Sequence, residues 1–227
     1  MRISFSGKNI LVTGGTRGIG LAISNLFEDL GGNVIPINTS NCNFQTDNIE
    51  KYLKSNNKLA EIDILINNAG INKIDHFQSI DEEDFIKIMK VNVEAPMRIS
   101  KYVIGNMVKN NWGRILNIAS VWGTKSIERR ASYSTSKAAI KGLTRAMAIE
   151  FAKNNILINT LSPGFIDTEL TSRILSPAQK KLMISKVPIS RMAQPEEIAN
   201  TAAFLCSDYN TYITGQDIVV DGGFLIS

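Results

Sequence analysis

Short apolar runs alternate with longer stretches of helical spacing along the whole chain. The runs predict strands at Asn9–Val12, Val34–Asn38, Ile62–Asn67, Gly113–Ala119, Ile156–Leu161 and Asp217–Val220. The stretches between them predict helices at Ile19–Leu30, Ile49–Leu53, Asp81–Asn92 continuing through Val108, Tyr133–Lys153 and Pro195–Ser207. Strands that alternate with helices predict an α/β fold, in which helices cover both faces of a parallel sheet. We expect one doubly wound domain over residues 1–227.

A glycine-rich turn follows the first predicted strand. It reads Thr13-Gly14-Gly15-Thr16-Arg17-Gly18-Ile19-Gly20 and precedes the first predicted helix. Glycines let a turn approach a pyrophosphate closely, and the following helix offers unpaired N–H groups and the positive end of its dipole. This order of strand, turn and helix predicts a dinucleotide site of the Rossmann type. The spacing G-x-x-x-G-x-G differs from the commoner G-x-G-x-x-G, and the turn alone is also compatible with no bound ligand.

A tyrosine and a lysine form a candidate acid–base pair. Tyr133 and Lys137 are four residues apart in a predicted helix, so both side chains project from one face. A free tyrosine has a pKa of ~10, and a neighbouring ammonium group favours the phenolate. Ser120, at the end of an apolar run, adds a second hydrogen-bond donor. We predict general acid–base chemistry here, although pairs at this spacing also occur by chance on solvated helix faces.

Composition excludes several classes of protein. The chain has 227 residues, 44% of them hydrophobic and 20% charged, which fits one domain with a full core. No apolar run approaches the ~18–20 residues of a membrane span. Residues 1–7 lack a signal-peptide core, so we expect a cytoplasmic protein whose mature chain begins at Met1. The net charge of +4 is not clustered, which favours an anionic cofactor over nucleic acid.

Metal and disulfide chemistry is not indicated by the sequence. Cys42 and Cys206 are too few for a disulfide framework, and neither belongs to a Cys-x-x-Cys motif. We expect two free thiols. His76 lies in a polar loop without plausible metal partners, so we expect a surface residue and no metal site.

Several motifs together resemble the short-chain dehydrogenase/reductase family. Besides the glycine turn, Ser120 and the Tyr133/Lys137 pair, they are Asn67-Asn68-Ala69-Gly70, Asn92 and Pro163-Gly164. They occur in the family's order and approximate spacing over nearly the whole chain. The stretches Gly113 to Ser120 and Pro163 to Thr168 are most similar to those of 3-oxoacyl-(acyl carrier protein) reductases, and they also occur in the family's sugar, polyol and steroid enzymes.

The resemblance implies roles for individual residues. Tyr133 would donate a proton to a carbonyl oxygen that Ser120 orients. Lys137 would lower the pKa of Tyr133 and hold the nicotinamide ribose, and Asn92 would hold a helical kink and a water that links Lys137 to solvent. The implied cofactor-binding set is Gly14, Thr16, Arg17, Gly18, Ile19, Gly20, Asn38, Thr39, Asn43, Asn68, Ala69, Gly70, Tyr133, Lys137, Pro163, Gly164, Ile166 and Thr168.

The chain departs from the family plan after the second strand. About 20 residues are missing there, and only Thr39-Ser40-Asn41 separates that strand from Cys42-Asn43-Phe44, although a parallel neighbour needs a crossover of a dozen or more residues. Pro36 lies inside the second strand, and proline is expected at sheet edges. We predict a shortened edge, without the usual crossover helix and with the next strand short or missing.

The end of the second strand also predicts the cofactor. An acidic residue there would bind the adenosine ribose and repel a 2′-phosphate. This chain has Asn38-Thr39-Ser40 instead, and Arg17 supplies a cation for that phosphate. We therefore predict NADP, with NAD as the alternative.

The predicted activity is NADP-dependent hydride transfer between the cofactor and a ketone or secondary alcohol, as in 3-oxoacyl reductases. Asn111 and Asn154 replace arginines that often contact the acyl carrier protein, although Lys109 and Lys153 are adjacent. A reductase of a sugar, polyol or other small carbonyl is therefore an alternative substrate class, and an acyl thioester remains a possible substrate. A non-catalytic binding protein is disfavoured because Ser120, Tyr133 and Lys137 are all present.

Two further expectations concern the substrate and the assembly. The segment at about 169–187 has apolar residues at helical spacing and is predicted to be a substrate lid. Trp122, Ile127 and the pair Arg129-Arg130 flank the catalytic segment and are expected to help define the substrate.

The helices Pro96–Val108 and Tyr133–Lys153 are apolar on more than one face, which predicts a homotetramer, with a dimer as the alternative. The resemblance adds Phe224-Leu225-Ile226 to a second interface.

Overall fold

The computed structural model describes residues 3–168, 171 and 176–227. The strands are β1 (Asn9–Thr13), β2 (Asn33–Ile37), β3 (Ile64–Asn67), β4 (Gly113–Ile118), β5 (Ile156–Pro163) and β6 (Asp217–Val220). The described α-helices are α1 (Gly18–Asp29), α2 (Ile49–Ser55), α3 (Glu82–Met89), α4 (Ala95–Asn110), α5 (Ala131–Phe151), α6 (Pro177–Ile184) and α7 (Pro195–Cys206). No helix in this part of the chain is long and apolar enough to cross a membrane.

The strands form one parallel sheet in the order β2-β1-β3-β4-β5-β6. This confirms the predicted α/β architecture, and most strand bounds differ from the predicted ones by one or two residues. The chain reverses direction across the sheet between β1 and β3, because β2 lies on one side of β1 and β3 on the other. In open parallel sheets, such a reversal leaves a crevice at the carboxyl ends of the strands, where ligands bind.

Each face of the sheet has its own apolar core. On one face, α2, α4 and α5 pack on side chains such as Leu11, Leu65 and Ile115. On the other, α1 and α7 pack on Ile10, Ile66 and neighbouring residues, with Phe27 of α1 fully buried. Adjacent residues of a strand point to opposite faces, so the near-continuous apolar runs in the sequence serve both layers. This explains why the strands read as buried rather than as alternating.

The sheet edge is shortened as predicted. β2 is the outermost strand, and among the described residues no strand pairs with its outer side. After Ile37 the chain forms turns up to Asn48, and α2 then leads directly to β3. The described stretch between Ile37 and Asn48 therefore contains neither the usual crossover helix nor a further strand, and Pro36 lies in an edge strand, where a missing N–H is tolerated.

A π-helical segment interrupts the long predicted helix. Residues Lys90–Glu94 separate α3 from α4, and Asn92 lies in the middle of this segment. A π-turn widens the helix locally and is frequent at functional sites. The structure places a π-helical irregularity at Asn92, where the resemblance implied a kink, and the sequence did not identify this type of irregularity.

The segment predicted to form a lid is described only in part. Residues 169, 170 and 172–175 of the predicted lid lie outside the described residues. Its second half forms α6, which begins with a capping box between Ser176 and Gln179 and exposes Leu182. Val187 at its end is buried against Val121 and Phe224, next to the turn that follows Ser120. A substrate lid remains a prediction.

Candidate active site

The glycine turn links β1 to α1 at the carboxyl end of the sheet. Gly14 and Gly18 have φ angles of 65° and 52°, which favour glycine. A Cβ on Gly20 would lie 2.2 Å from Gly14 O and 2.4 Å from Asn68 Nδ2, so only glycine fits there. Arg17 precedes α1 with no capping side-chain hydrogen bond, so no side chain caps the first N–H groups of the helix. These features fit a bound pyrophosphate.

The end of β3 holds the glycine turn in place. Asn68 Nδ2 donates to the carbonyl oxygens of Thr13 and Gly14 at 3.0 and 3.1 Å. Thr13 Oγ1 accepts from the backbone N–H groups of Asn68 and Ala69, both at 3.0 Å. Asn68 and Ala69 therefore support the glycine turn from the end of β3.

A cavity of about 510 Å³ lies beside the turn. This volume is within the range of ligand sites. Most of the predicted cofactor-binding residues line it: Gly14, Thr16, Arg17, Gly18, Ile19, Asn38, Thr39, Asn43, Asn68, Ala69, Gly70 and Thr168. The sequence did not identify Gln45 or the residues that supply the apolar wall of the cavity, which are Ile37, Cys42, Phe44, Ile71 and Val91. They share no motif, and the shortened edge alone brings the segment 42–45 to this place.

Asn38 stands where an acidic residue would favour NAD, just beyond the end of β2. Its Oδ1 accepts from Ser40 N at 2.9 Å and from Ser40 Oγ at 2.5 Å, which closes a tight turn at the mouth of the cavity. Arg17 is exposed and lines the same cavity. The cavity therefore has a cation and no carboxylate among its described lining residues.

Four predicted cofactor residues outside the catalytic pair do not line this cavity. Gly20 is buried beneath the turn, where its lack of a side chain permits close packing. Gly164 follows Pro163 at the end of β5, and a Cβ there would lie 2.7 Å from the Cα of Asp221. Ile166 is buried and pairs with Ala193 in an isolated bridge. The geometry gives these four residues packing contacts, and their contact with a cofactor remains a prediction.

The candidate catalytic residues lie next to this cavity, at the carboxyl end of β4 and the start of α5. Ser120 is buried, and its side chain is close enough to Tyr133 to lower the pKa of that phenol. Lys137 is one helical turn further along, 4% exposed, and its Nζ lies 5.6 Å from the centre of the Tyr133 ring. A Cβ on Gly70, which lines the cavity, would lie 3.5 Å from Lys137 Nζ. The structure thus brings the predicted catalytic residues together beside the predicted cofactor site.

The expected electrostatic effect of Lys137 on Tyr133 is not found. Burial raises the pKa of Tyr133, and the opposing influences are the nearby Ser120 side chain and the charge of Arg130. Lys137 Nζ instead donates to Ile118 O at 2.7 Å. Burial also lowers the pKa of Lys137 from 10.5 to about 8. The sequence argument considered the charge of the neighbouring lysine and neglected the desolvation of both groups, which is the larger effect here.

Asn92 connects the π-segment to the floor of the site. Its Oδ1 accepts from Ile71 N at 2.9 Å, and its Nδ2 donates to Ile71 O at 2.9 Å and to Ser136 Oγ at 3.0 Å. The side chain thereby ties the segment after Gly70 to α5. Its proposed role with a water remains a prediction.

An aromatic cluster borders the turn after Ser120. Trp122, Phe165 and Phe224 pack edge to face, with ring centroids 4.9–6.0 Å apart. Phe224 is 5% exposed and packs within its own chain, and the contribution of the C-terminal segment to a subunit interface remains a prediction. Ile226 beside it is exposed. Trp122 lies at the catalytic segment, as expected of a residue that shapes the substrate site.

A second buried lysine on α5 braces the site and carries no sequence signature. Lys141 Nζ lies 2.7 Å from Asp217 Oδ2 and donates to Thr124 Oγ1 at 2.5 Å. Asp217 Oδ1 accepts from the hydroxyls of Thr160 and Ser162. The network joins the turn after Ser120 to α5 and the sheet. Its acid comes from a strand far along the chain, so spacing could not reveal it.

Comparisons with known proteins agree with this geometry. The family model described as enoyl-(acyl carrier protein) reductase matches residues 45–225. A 3-oxoacyl-(acyl-carrier-protein) reductase of Aquifex aeolicus is 37% identical over 247 residues, covering 98% of this chain and 99% of the relative.

Solved structures give the same result. A short-chain type dehydrogenase/reductase from Mycobacterium marinum has a TM-score of 0.90 at 30% identity and covers 99% of this chain and 98% of its own. A protein from Beutenbergia cavernae, assigned as an NAD(P)-dependent gluconate 5-dehydrogenase and solved with NADP at low occupancy, has a TM-score of 0.87 at 28% identity, with full coverage of both chains. The chain belongs to the short-chain dehydrogenase/reductase family.

Proposed function

We propose that this protein is an NADP-dependent oxidoreductase that interconverts a ketone and a secondary alcohol, of the 3-oxoacyl reductase kind. The observation that carries the proposal is the position of Ser120, Tyr133 and Lys137 directly beside the cavity at the glycine turn. Membership of the family and the likeness to 3-oxoacyl-(acyl-carrier-protein) reductases support it.

The residues of the cavity fit NADP. The glycine turn and the N-terminus of α1 would hold the pyrophosphate, and the apolar wall that includes Phe44, Ile71 and Val91 would contact the adenine. Arg17 and the hydroxyls of Thr39 and Ser40 would receive the 2′-phosphate. The bound NADP in the Beutenbergia cavernae structure supports this assignment. When bound, the nicotinamide supplies or accepts the hydride.

The protein residues handle the proton and orient the substrate. Tyr133 Oη would donate its proton to the carbonyl oxygen, and Ser120 Oγ would hydrogen-bond to the same oxygen. Because burial raises the pKa of Tyr133, the phenol is protonated near neutral pH, as a proton donor must be. Lys137 Nζ, next to Gly70 and Asn92, would hold the nicotinamide ribose and help to return a proton to Tyr133.

A second substrate class is kept as a candidate. The similar structure from Beutenbergia cavernae is assigned to a sugar acid, gluconate, which supports a small polar carbonyl compound as the substrate. Asn111 and Asn154 at the positions expected for carrier recognition also favour it. The 3-oxoacyl-(acyl-carrier-protein) reductase of Aquifex aeolicus, at 37% identity, supports the 3-oxoacyl substrate.

The proposed activity can be tested with a panel of carbonyl compounds that includes an acetoacetyl thioester, a sugar acid and simple ketones, while NADPH oxidation is followed by absorbance. We expect turnover with wild-type enzyme and a loss of about 10²- to 10⁴-fold in Tyr133→Phe, which keeps the ring but removes the proton donor. Tyr52→Phe, on α2 and outside the cavity lining, is the matched control. Near-normal turnover of Tyr133→Phe would remove Tyr133 from the mechanism.

We also infer that the protein assembles as a homotetramer. Ile86 on α3 and Ile149 on α5 are 62% and 84% exposed. Between these helices and α4, an open groove of about 400 Å³ is lined by Phe85, Ile86, Met89, Lys90, Val93, Glu94, Met97 and Leu143. A mostly apolar groove of this kind supports burial against another subunit.

A further inference from the structure

Two consecutive arginines lie beside the candidate catalytic residues. Arg129 and Arg130 directly precede α5. Arg130 comes three residues before Tyr133, so the side chains of Arg130 and Tyr133 lie on the same side of the first helical turn. Arg130 is half-buried. Arg129 is exposed and lines an adjoining cavity of about 400 Å³ with His76, Ser126 and Ile127.

This position is electrostatically unfavourable for two cations. The N-terminal end of a helix carries a partial positive charge and favours anions. The first turn of α5 contains no acidic residue. The nearest carboxylate along the chain, Glu128, lies 3.8 Å from His76 Nδ1. Within the part of the chain that the structure describes, Arg130 forms no ion pair, so a half-buried positive charge is left without a counter-ion.

The backbone adds a second unfavourable feature at the same place. Arg129 has a φ of 67°, in the left-handed region that residues with side chains seldom adopt. Such strain is concentrated at binding and catalytic sites. The strained residue is the one that directs Arg130 into α5. The charge of Arg130 also acts on Tyr133, whose pKa it lowers.

We propose that Arg130 binds an anionic group of the substrate, a carboxylate or a phosphate attached a few bonds from the carbonyl. The inference rests on the proposed reductase function and concerns the group that accompanies the carbonyl. Side chains three residues apart on a helix have Cβ atoms about 5–6 Å apart, so an oxygen bound by Tyr133 leaves a short span to Arg130. The guanidinium group matches either anion with two parallel hydrogen bonds.

An anion-binding Arg130 would distinguish between the candidate substrates by the charge they carry near the carbonyl group. A neutral 3-oxoacyl thioester places no anion at that distance from its ketone, whereas a free 3-oxo acid, a sugar acid or a phosphorylated ketone does. An anion there would also relieve the uncompensated charge at the start of α5, so the same contact would bind the substrate and stabilise the helix terminus.

The test compares related ketones with and without an anionic group. Acetoacetate is compared with ethyl acetoacetate, and hydroxyacetone phosphate with hydroxyacetone, using NADPH and wild-type enzyme, Arg130→Gln, Arg130→Lys and the control Lys58→Gln. Lys58 is an exposed lysine at the opposite end of the strands. We expect Arg130→Gln to lose about 10- to 100-fold in kcat/KM for the anionic member of one pair, mainly through KM. The neutral member should change little, and Arg130→Lys should recover part of the loss.

The outcomes separate this inference from the proposed function. The pair that responds identifies the anion as carboxylate or phosphate. Equal losses on neutral and anionic substrates, or no loss on either, overturn the role of Arg130 while the reductase activity stands. If wild type reduces no carbonyl compound, the proposed function fails, and the anion site is then tested by melting temperature. Acetoacetate and inorganic phosphate are each added, and at least one should raise the Tm of wild type more than that of Arg130→Gln; equal shifts with both anions overturn the inference.

Discussion

Burial sets the charge state of the residues at the centre of the site. Lys137 is nearly inaccessible, and the hydrogen bond to Ile118 O only partly replaces the water that an ammonium group loses. Its pKa of about 8 leaves the group mostly charged at neutral pH but close to releasing its proton. Burial raises the pKa of Tyr133, so the tyrosine, like the lysine, is shifted towards its neutral form. A protonated tyrosine and a lysine whose pKa is close to neutral pH are a suitable pair for donating a proton and replacing it.

The lowered pKa of Lys137 predicts how stability depends on pH. Between about pH 8 and 10.5 the unfolded chain holds a proton on this lysine and the folded chain does not, so the free energy of unfolding rises with pH in that window. The rise attributable to Lys137 is about 3 kcal/mol, since one pKa unit corresponds to ~1.4 kcal/mol. Urea unfolding of wild type and Lys137→Met from pH 7.5 to 10 measures this rise, as the difference between the two proteins in how the free energy of unfolding changes with pH. Parallel pH profiles for the two proteins would contradict it.

Cofactor choice is also a residue-scale property, and it depends on Arg17 and Asn38. Arg17→Ala should weaken the binding of NADPH by about 10- to 100-fold, which is the contribution of one charge-assisted hydrogen bond. The binding of NADH should weaken much less. Asn38→Asp should erase or reverse the preference for NADPH, because a carboxylate there repels the 2′-phosphate and binds the ribose. The substitution keeps the oxygen that accepts from Ser40, so the turn should persist. The ratio of kcat/KM with the two cofactors is the measurement; an equal effect of Arg17→Ala on both would refute the assignment.

At the scale of elements, the sequence predicted what depends on neighbouring residues. Apolar runs gave the strands, and the glycine turn followed from the requirement for positive φ and close packing. The π-segment around Asn92 was not predicted because its widening depends on Ile71 and Ser136, which are distant in the chain. The pKa of Tyr133 was predicted in the wrong direction because burial is a property of the whole fold.

The glycine turn gives a prediction for an element. In Gly20→Ala, the new methyl group would overlap Gly14 O and Asn68 Nδ2, so the turn must move away from β3. We expect a loss of about 1–3 kcal/mol in the free energy of unfolding, as for other overpacked sites, and weaker NADPH binding. Gly105→Ala is the control, because a Cβ at this exposed position in α4 meets nothing within 4 Å. Chemical denaturation and NADPH titration of both variants test it, and similar behaviour of the two would count against a tight turn.

At the scale of the whole molecule, the shortened edge is the feature that sets this chain apart from the family plan. The short spacing after β2 predicted the shortened edge, but it did not predict how this edge would shape the cofactor cavity. Without the extra strand and helix, the turns between Ile37 and Asn48 form the outer wall of the cavity. Lys90 Nζ holds this wall through Gln45 O at 2.7 Å. Such a contact between distant segments becomes visible only in the folded chain.

Assembly is the last property of the whole molecule that the structure allows us to predict. On the predicted interface helix Pro96–Val108, apolar residues such as Ile99, Val103 and Met107 are buried in the core of their own chain. The argument for an interface therefore rests on the exposed Ile86, Met97 and Ile149. We expect a tetramer in sedimentation velocity at micromolar concentration. Met97→Glu should dissociate it to dimers or monomers, because a charge would be buried in the groove. The control is Leu182→Glu on α6, because Leu182 is as exposed as Ile86 but does not line the groove. A wild-type monomer, or a Met97→Glu tetramer as stable as wild type, would show that this groove does not join subunits.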